Sequence, residues 1–132
     1  MTAAPSQSAV LIVDDVEATR SGLVHLLELQ GFRAVPAGDG AEALDRLRSD
    51  RSICLVILDL AMPARDGYWF RDEQVKDPAI AGTPVVVFSG MPLDALPKPL
   101  AGVEVLAKPV ALDRVIEIVA RHCTRRPERL TA

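Results

Sequence analysis

The sequence predicts an α/β fold, a doubly wound parallel sheet of five strands, and three observations support this prediction. Three short runs contain no polar residue, namely residues 9–13, 53–58 and 84–88. Strands that are buried on both faces have this pattern. The runs alternate with helical segments, and they end at carboxylate or hydroxyl residues. Strands that alternate with helices form parallel βαβ units with right-handed crossovers.

The first half of the chain supplies two strands and two helices. Residues 9–13 form the first strand, and the helix after it has apolar residues on one face, at Val16, Leu23, Leu26 and Leu27. Gly31 ends that helix in the position that glycine favours. Residues 32–37 form a more polar strand, and Pro36 within it indicates an edge position. A Gly-Asp-Gly turn then leads into a short amphipathic helix with Ala41, Leu44 and Leu47 on one face.

The central strand, residues 53–58, runs directly into Asp59. A weakly patterned helix is predicted from about Tyr68 to Lys76, where Asp77-Pro78 ends it. Two further strands follow at residues 84–88 and 103–107. The last helix has the clearest amphipathic pattern, with apolar side chains on one face at Leu112, Val115, Ile116 and Val119.

The segment between the last two strands is unusual, because Pro92, Pro97 and Pro99 interrupt it. Each proline removes a backbone donor and disfavours helix at the residue before it. The helix that an alternating chain places here is therefore expected to be short or absent.

Composition predicts one soluble domain. The chain has 132 residues, of which 49% are hydrophobic and 25% charged, and its net charge of −3 gives no general reason to expect binding to nucleic acid. The basic residues near the C-terminus are interpreted as solvated. No apolar run approaches the roughly 20 residues of a membrane span, and residues 1–8 do not resemble a signal peptide. We expect a leader over 1–8, one domain over 9–123, a polar tail over 124–132 and a cytoplasmic location.

The two cysteines do not form a disulfide framework of the kind seen in small secreted domains. Cys54 lies within the central strand and is interpreted as a free, buried thiol that packs as a small hydrophobe. His122 and Cys123 are adjacent, but no second pair stands at the spacing that a zinc site needs.

Polar side chains follow four of the predicted strands. These side chains are Asp14 and Asp15, Asp59, Ser89, and Lys108. The carboxyl ends of parallel strands share one edge of the sheet, which is where open α/β sheets bind ligands. Carboxylates that converge repel one another unless a cation joins them, and Mg²⁺ suits such oxygens. An ammonium and a hydroxyl beside them complete a site for a phosphoryl group, which Asp59 could accept as an aspartyl phosphate.

These residues resemble the signature of bacterial two-component response regulator receiver domains. The resemblance rests on Asp14-Asp15, on Asp59 followed by Met62-Pro63 and Asp66-Gly67, on Ser89, and on Lys108-Pro109. It covers residues 9–123 and implies a stand-alone receiver with a flavodoxin-like fold and the strand order 2-1-3-4-5. It also implies a signalling domain rather than an enzyme, apart from its own phosphorylation and dephosphorylation.

The resemblance assigns a role to each residue of the site. Asp59 is expected to be the phosphoacceptor. The Mg²⁺ cofactor is expected to bind Asp15 and Asp59 directly, Asp14 through water, and Ala61 through its main-chain carbonyl.

The remaining site residues act on the phosphoryl group. By the same resemblance, Lys108 pairs with the phosphoryl group and is joined to Pro109 by a cis peptide bond. Ser89 is the switch hydroxyl. The implied partners are a histidine kinase or phosphotransfer protein and a downstream protein, with no nucleic acid and no membrane, and the chain is expected to be a monomer.

Two departures from the family argue against its usual output mechanism: Val105 stands where the family usually has Tyr or Phe, and the segment that should hold the helix before the last strand is short and rich in proline. Three other functions fit the sequence less well. An aspartyl-phosphate hydrolase needs an Asp where this chain has Ala61. A flavin-binding electron carrier would bind phosphate in the loop after the first strand, where the acidic residues repel it. A receiver-like interaction module that is never phosphorylated would not need the acidic site.

Overall fold

The computed structural model of the protein describes residues 8–59, 64–90 and 103–124. Its five strands are β1 (Ala9–Val13), β2 (Arg33–Ala37), β3 (Ile53–Asp59), β4 (Val85–Ser89) and β5 (Glu104–Ala107). The helices within the described ranges are α1 (Glu17–Leu29), α2 (Gly40–Ser49), α3 (Ala64–Lys76) and α4 (Leu112–His122). All neighbouring strands are parallel, in the order β2-β1-β3-β4-β5, and this confirms the predicted fold class.

The sheet is covered on both faces, as its apolar strands require. Alternate side chains of β1 and β3 point to opposite faces, because the side-chain period of a strand is two residues. Leu11 and Val56 belong to a core cluster that includes Leu44 of α2 and Phe70 of α3. The opposite face packs against α1 and α4 and is formed by residues such as Val10, Ile12, Leu55, Ile57, Leu27, Ile118 and Val119. Each such buried side chain contributes on the order of 1.5–3 kcal/mol to folding.

The ends of two helices follow the local sequence. Gly31 has a φ of 90°, a left-handed conformation that glycine adopts without the steric cost of a Cβ, and it lies just after α1. The Asp39 side chain caps α2 by accepting a hydrogen bond from the Glu42 backbone N–H at 2.7 Å. The Glu42 carboxylate in turn accepts from the Gly38 N–H at 2.7 Å. These reciprocal bonds satisfy backbone donors at the start of the helix.

Three helices differ from their predicted form. The third helix begins at Ala64, four residues before the predicted start at Tyr68. In α1, Leu27 is buried, but Val16 and Leu26 are 49% and 39% exposed, so the predicted apolar face is partly wrong. Val16 is the extended N-cap residue and therefore lies outside the helical repeat.

The buried face of α4 is also shifted from the predicted one. Val115 and Val119 are buried as expected, and Ile118 is fully buried although the predicted face did not include it. Leu112, the first residue of the helix, is 40% exposed.

The cysteines form a disulfide, so the interpretation of Cys54 as a free thiol is wrong. Cys54 is bonded to Cys123, with 5.4 Å between the two Cα atoms and 69 positions between the residues in sequence. The pairing arises because α4 runs back across the sheet and brings its C-cap residue onto the start of β3. Sequence spacing alone does not reveal such a long-range contact.

Several predictions fall outside the described residues. These are the short or absent helix before β5, the leader before residue 8, the tail after residue 124, and the contribution of Ala61 to the site. No helix in the described part of the chain is long and apolar enough to cross a membrane.

Candidate functional site

The strand register brings the predicted site residues to one edge of the sheet. Val13 lies opposite Leu58, so Asp14, which follows Val13, is level with Asp59 at the end of β3. Ser89 is the last residue of β4 and lies opposite Ala107, the residue before Lys108. The edge is the carboxyl edge in each case, because all the strands are parallel. The site is therefore assembled from four strands that are distant in sequence.

An ion pair joins Lys108 to Asp59 at the centre of this edge. The Lys108 ammonium contacts Oδ1 of Asp59 directly. The Asp59 side chain is only 8% exposed and that of Lys108 is 31% exposed, so the pair is partly shielded from water. The backbone N–H of Lys108 donates to the Ser89 carbonyl at 2.8 Å, which anchors the lysine to β4. The peptide bond between Lys108 and Pro109 is cis, as the family resemblance implied.

Asp14 is the second buried carboxyl group of the site, with 4% of its surface exposed. Its Oδ1 accepts a hydrogen bond from the Val16 N–H at 2.9 Å, and its carboxyl group shares a hydrogen bond with that of Asp59. Burial, assisted by the neighbouring Asp59, raises the pKa of Asp14 from 3.8 to about 6, although the Val16 N–H and Lys108 act in the opposite direction. Ionisation of both Asp14 and Asp59 is therefore unfavourable unless a cation binds in addition to Lys108.

Arg20 is a residue of this region that the sequence reasoning missed. Its Nη1 donates to the backbone carbonyl oxygen of Asp14 at 2.5 Å. The same guanidinium lies close to Gly38, in the loop between β2 and α2. Arg20 therefore links the start of α1 to the backbone of Asp14 and to the loop between β2 and α2. A basic residue in the first turn of a helix that follows two aspartates was the available signal.

The predicted site residues do not all converge to the same degree. Asp59 interacts with both Asp14 and Lys108, and the buried Ser89 adjoins Lys108 through its backbone. Asp15 is exposed to solvent beside Asp14.

Two carboxyl groups of the site are suited to Mg²⁺. Within residues 8–59, 64–90 and 103–124, no group of three or more His, Cys, Asp or Glu side chains is arranged to hold a metal ion. Mg²⁺, however, typically retains several waters and takes only one or two carboxylates. Asp14 and Asp59 supply such a pair, and their mutual repulsion would be relieved by a cation. These residues therefore fit the ion that the sequence predicted.

A groove opens next to the site, between α1 and the start of α4. Its volume is about 740 Å³, and Lys108 lies in its wall together with mostly apolar residues. Leu26 of α1 and Leu112 of α4 are among its partly exposed side chains. The other lining residues are Ala18, Thr19, Gly22, Leu23, Phe88, Pro109, Val110 and Val115.

Comparisons with known proteins show the family and the fold of the chain. The model of the response regulator receiver domain family matches residues 10–120. Response regulator MprA of Mycobacterium avium (strain 104) is 33% identical over 112 residues, which are 81% of this chain and 47% of MprA. The transcriptional regulatory protein CpxR of Escherichia coli (strain K12) is 47% identical over 58 residues, 44% of this chain and 24% of CpxR. The chain thus spans less than half the length of these curated relatives.

Solved structures show the same architecture. A response regulator receiver protein from Pseudomonas putida superposes with a TM-score of 0.76 at 28% identity, and the match covers 90% of this chain and 100% of that one. The receiver domain from the hybrid histidine kinase CckA gives a TM-score of 0.67 at 31% identity, over 86% and 97% of the two chains.

Proposed function

This chain belongs to the response regulator receiver domain family of two-component systems, and we propose that it accepts a phosphoryl group on Asp59 in a reaction that depends on Mg²⁺. The donor is a histidine kinase or a histidine-containing phosphotransfer protein. The observation that carries the proposal is the Asp59–Lys108 ion pair, which lies beside the buried Asp14 at the carboxyl edge of the sheet.

The side chains of the chain suit such a transfer. A carboxylate oxygen of Asp59 attacks phosphorus while the bond from phosphorus to the donor nitrogen breaks, and the leaving imidazole keeps that electron pair. Lys108 is paired with Asp59 before the reaction, and its ammonium can then pair with an oxygen of the transferred phosphoryl group. Ser89 can donate its hydroxyl to another phosphoryl oxygen. The transfer needs little other chemistry from the protein, since positioning and charge neutralisation dominate phosphoryl transfer.

The proposed metal ligands are Asp14, Asp15, Asp59 and Ala61. When bound, Mg²⁺ neutralises the charge that develops on the phosphoryl oxygens. The support for this assignment within the described residues is the pair of Asp14 and Asp59, because burial and the neighbouring Asp59 raise the pKa of Asp14 and a bound cation would offset both effects.

Phosphorylation is tested with a small donor. The protein is incubated with acetyl phosphate and Mg²⁺, and we expect an acid-stable, base-labile adduct by intact mass. Asp59→Asn should abolish the adduct, whereas Asp45→Asn, the same substitution at an exposed position on α2, should leave it intact. An adduct that persists undiminished in Asp59→Asn would show that another residue is the acceptor. Asp15→Ala should need more Mg²⁺ to reach the same extent of phosphorylation. Normal phosphorylation with the same Mg²⁺ requirement would place the metal elsewhere.

The groove between α1 and α4 is the proposed docking surface for the histidine-containing donor. It is apolar and borders Lys108, so a partner seated there is next to the acceptor. Leu26→Glu should slow transfer from a protein donor without changing the rate with acetyl phosphate. Leu29→Glu is the matched control, because Leu29 is 68% exposed on the same helix and is not part of the groove wall. Equal slowing with both donors would mean that Leu26→Glu damages the site itself.

The proposed output does not use dimerisation through β5 and α4. Glu104 and Glu117 on this face are already paired within the chain, with Arg114 and with Arg121. Val105 lacks the ring that family members use as a relay, and it packs against the core. We propose a monomer that signals to a protein partner in the cytoplasm. We also propose that the segment from Gly90 to Gly102 reorders on phosphorylation to admit or expel the partner; residues 91–102 lie outside the described ranges. Light scattering with and without beryllofluoride tests the oligomeric state, and an activated dimer would contradict the proposal.

A further inference from the structure

The disulfide joins the start of β3 to the end of α4, and the proposed phosphorylation site joins the end of β3 to the segment that leads into α4. Cys54 is the second residue of β3, and Asp59 is the last residue of the same strand. Cys123 is the C-cap of α4, and Lys108 lies shortly before the start of that helix. The ion pair between Asp59 and Lys108 therefore links β3 to the segment before α4 at one edge of the sheet, while the disulfide links β3 to the end of α4 at the other.

The disulfide end of α4 packs against the core and carries a second link. Cys123 is 7% exposed and belongs to the same apolar cluster as Val119 and Leu27. One residue later, the Thr124 backbone N–H donates to Oγ of Ser8 at 2.7 Å, which ties the end of the helix to the start of β1. A cut disulfide would therefore loosen the last turn of α4 without detaching the helix from the sheet.

The location proposed above makes this disulfide unusual. In the cytoplasm, glutathione and thioredoxin keep thiols reduced, and the disulfides that do occur there are mostly transient or redox-sensing. This step rests on the proposed function. Exchange requires that a thiolate reach one of the two sulfur atoms. Cys54 is the more accessible side, because it is only partly buried and lies near the start of its strand.

We propose that Cys54–Cys123 is a thiol–disulfide exchange site whose redox state sets how firmly the end of α4 is held on the sheet. The co-reactant is a dithiol reductant of the thioredoxin class. Its thiolate attacks Sγ of Cys54 to give a mixed disulfide, and Cys123 leaves as a thiolate that takes up a proton. The second reductant thiol then releases Cys54, so that two electrons pass to the protein and the reductant becomes a disulfide.

Thiol counting tests the bond and its exchange. Protein purified without reductant is denatured and treated with iodoacetamide, and we expect no alkylated cysteine. After incubation of the folded protein with dithiothreitol, or with reduced thioredoxin and its reductase, we expect two. Alkylation of both cysteines without reductant would overturn the disulfide, and resistance of the folded protein to both reductants would overturn the exchange. Neither readout involves Asp59, so failure here is distinguishable from failure of the proposed function.

Stability measurements test the mechanical consequence. Closure of a loop of 69 positions constrains the unfolded chain, so reduction should lower the Tm by about 10 °C. The double variant Cys54→Ala/Cys123→Ala should melt near the reduced protein and should not respond to dithiothreitol. Hydrogen exchange should increase on reduction in residues 112–124, with α2 as the internal reference. An equal response of the double variant to dithiothreitol, or an unchanged exchange rate in α4, would refute the proposal.

Discussion

Replacement of Asp14 by asparagine should stabilise the metal-free protein at pH 8. Asparagine has the same shape as aspartate and keeps an oxygen that can accept the hydrogen bond from the Val16 N–H, which is 2.9 Å from Asp14 Oδ1. It removes the negative charge that burial and Asp59 make unfavourable. The substitution therefore separates the electrostatic cost of the site from its packing.

The size and sign of the effect follow from the pKa of Asp14. Folding raises this pKa from 3.8 to about 6, so the folded state holds the proton more tightly than the unfolded state. Protonation of Asp14 therefore stabilises the folded state. This contribution is fully present below about pH 4 and is lost as the pH rises through 6. The difference in pKa of about 2.2, at about 1.36 kcal/mol for each unit, corresponds to about 3 kcal/mol at pH 8 as an upper limit. At pH 5, Asp14→Asn should still be more stable than the parent protein by about half of that free energy.

Urea denaturation of the two proteins in EDTA, at pH 5 and pH 8, measures this difference. The pKa of Asp50 is lowered mainly by its hydrogen bonds with Ser52, and that of Asp77 by its bonds with Ala79 and Arg48. Both carboxyl groups are present in the two proteins, so their contributions to the pH dependence of stability cancel when the proteins are compared.

The experiment has a control and a metal-dependent counterpart. The control is Asp45→Asn, the same substitution at an exposed position on α2 away from the site. Addition of Mg²⁺ should stabilise the parent protein more than Asp14→Asn, because the ion binds the anionic site. A stability difference between parent and variant that is zero, or equal at both pH values, would refute the account of Asp14.

Three further predictions concern single side chains. Lys108→Met removes the ammonium paired with Asp59, so urea denaturation should show a fall of about 1–3 kcal/mol in the free energy of unfolding; an unchanged free energy would show that the ion pair does not stabilise the fold. Gln74→Met fills the same volume but removes a buried amide that donates to two backbone carbonyls. Urea denaturation should therefore show that the free energy of unfolding falls by about 2–4 kcal/mol. The control Val75→Ala, at an exposed position, should lower it by less than about 0.5 kcal/mol. Asp39→Ala removes the cap of α2 and should cost about 1 kcal/mol by thermal unfolding; an unchanged Tm would mean that water replaces the cap.

The local sequence determined much of the fold. The apolar run before Asp59 has no polar residue to face water, so it had to be a strand covered on both faces, and parallel strands bring their carboxyl ends together. That reasoning placed Asp14, Asp59 and Lys108 at one edge, and the register confirms their convergence. It worked because period and burial are properties of short segments.

Only the tertiary structure decided the features that depend on distance. The pKa of Asp14 is raised because the fold buries the carboxyl group against Asp59, 45 positions away, and no local pattern states that burial. The disulfide formed because α4 crosses the sheet and delivers Cys123 to Cys54. Helical periodicity assigned Leu26 to a buried face, yet the groove beside α1 leaves it exposed, because a repeat shows which residues share a face and the neighbouring elements decide what covers it.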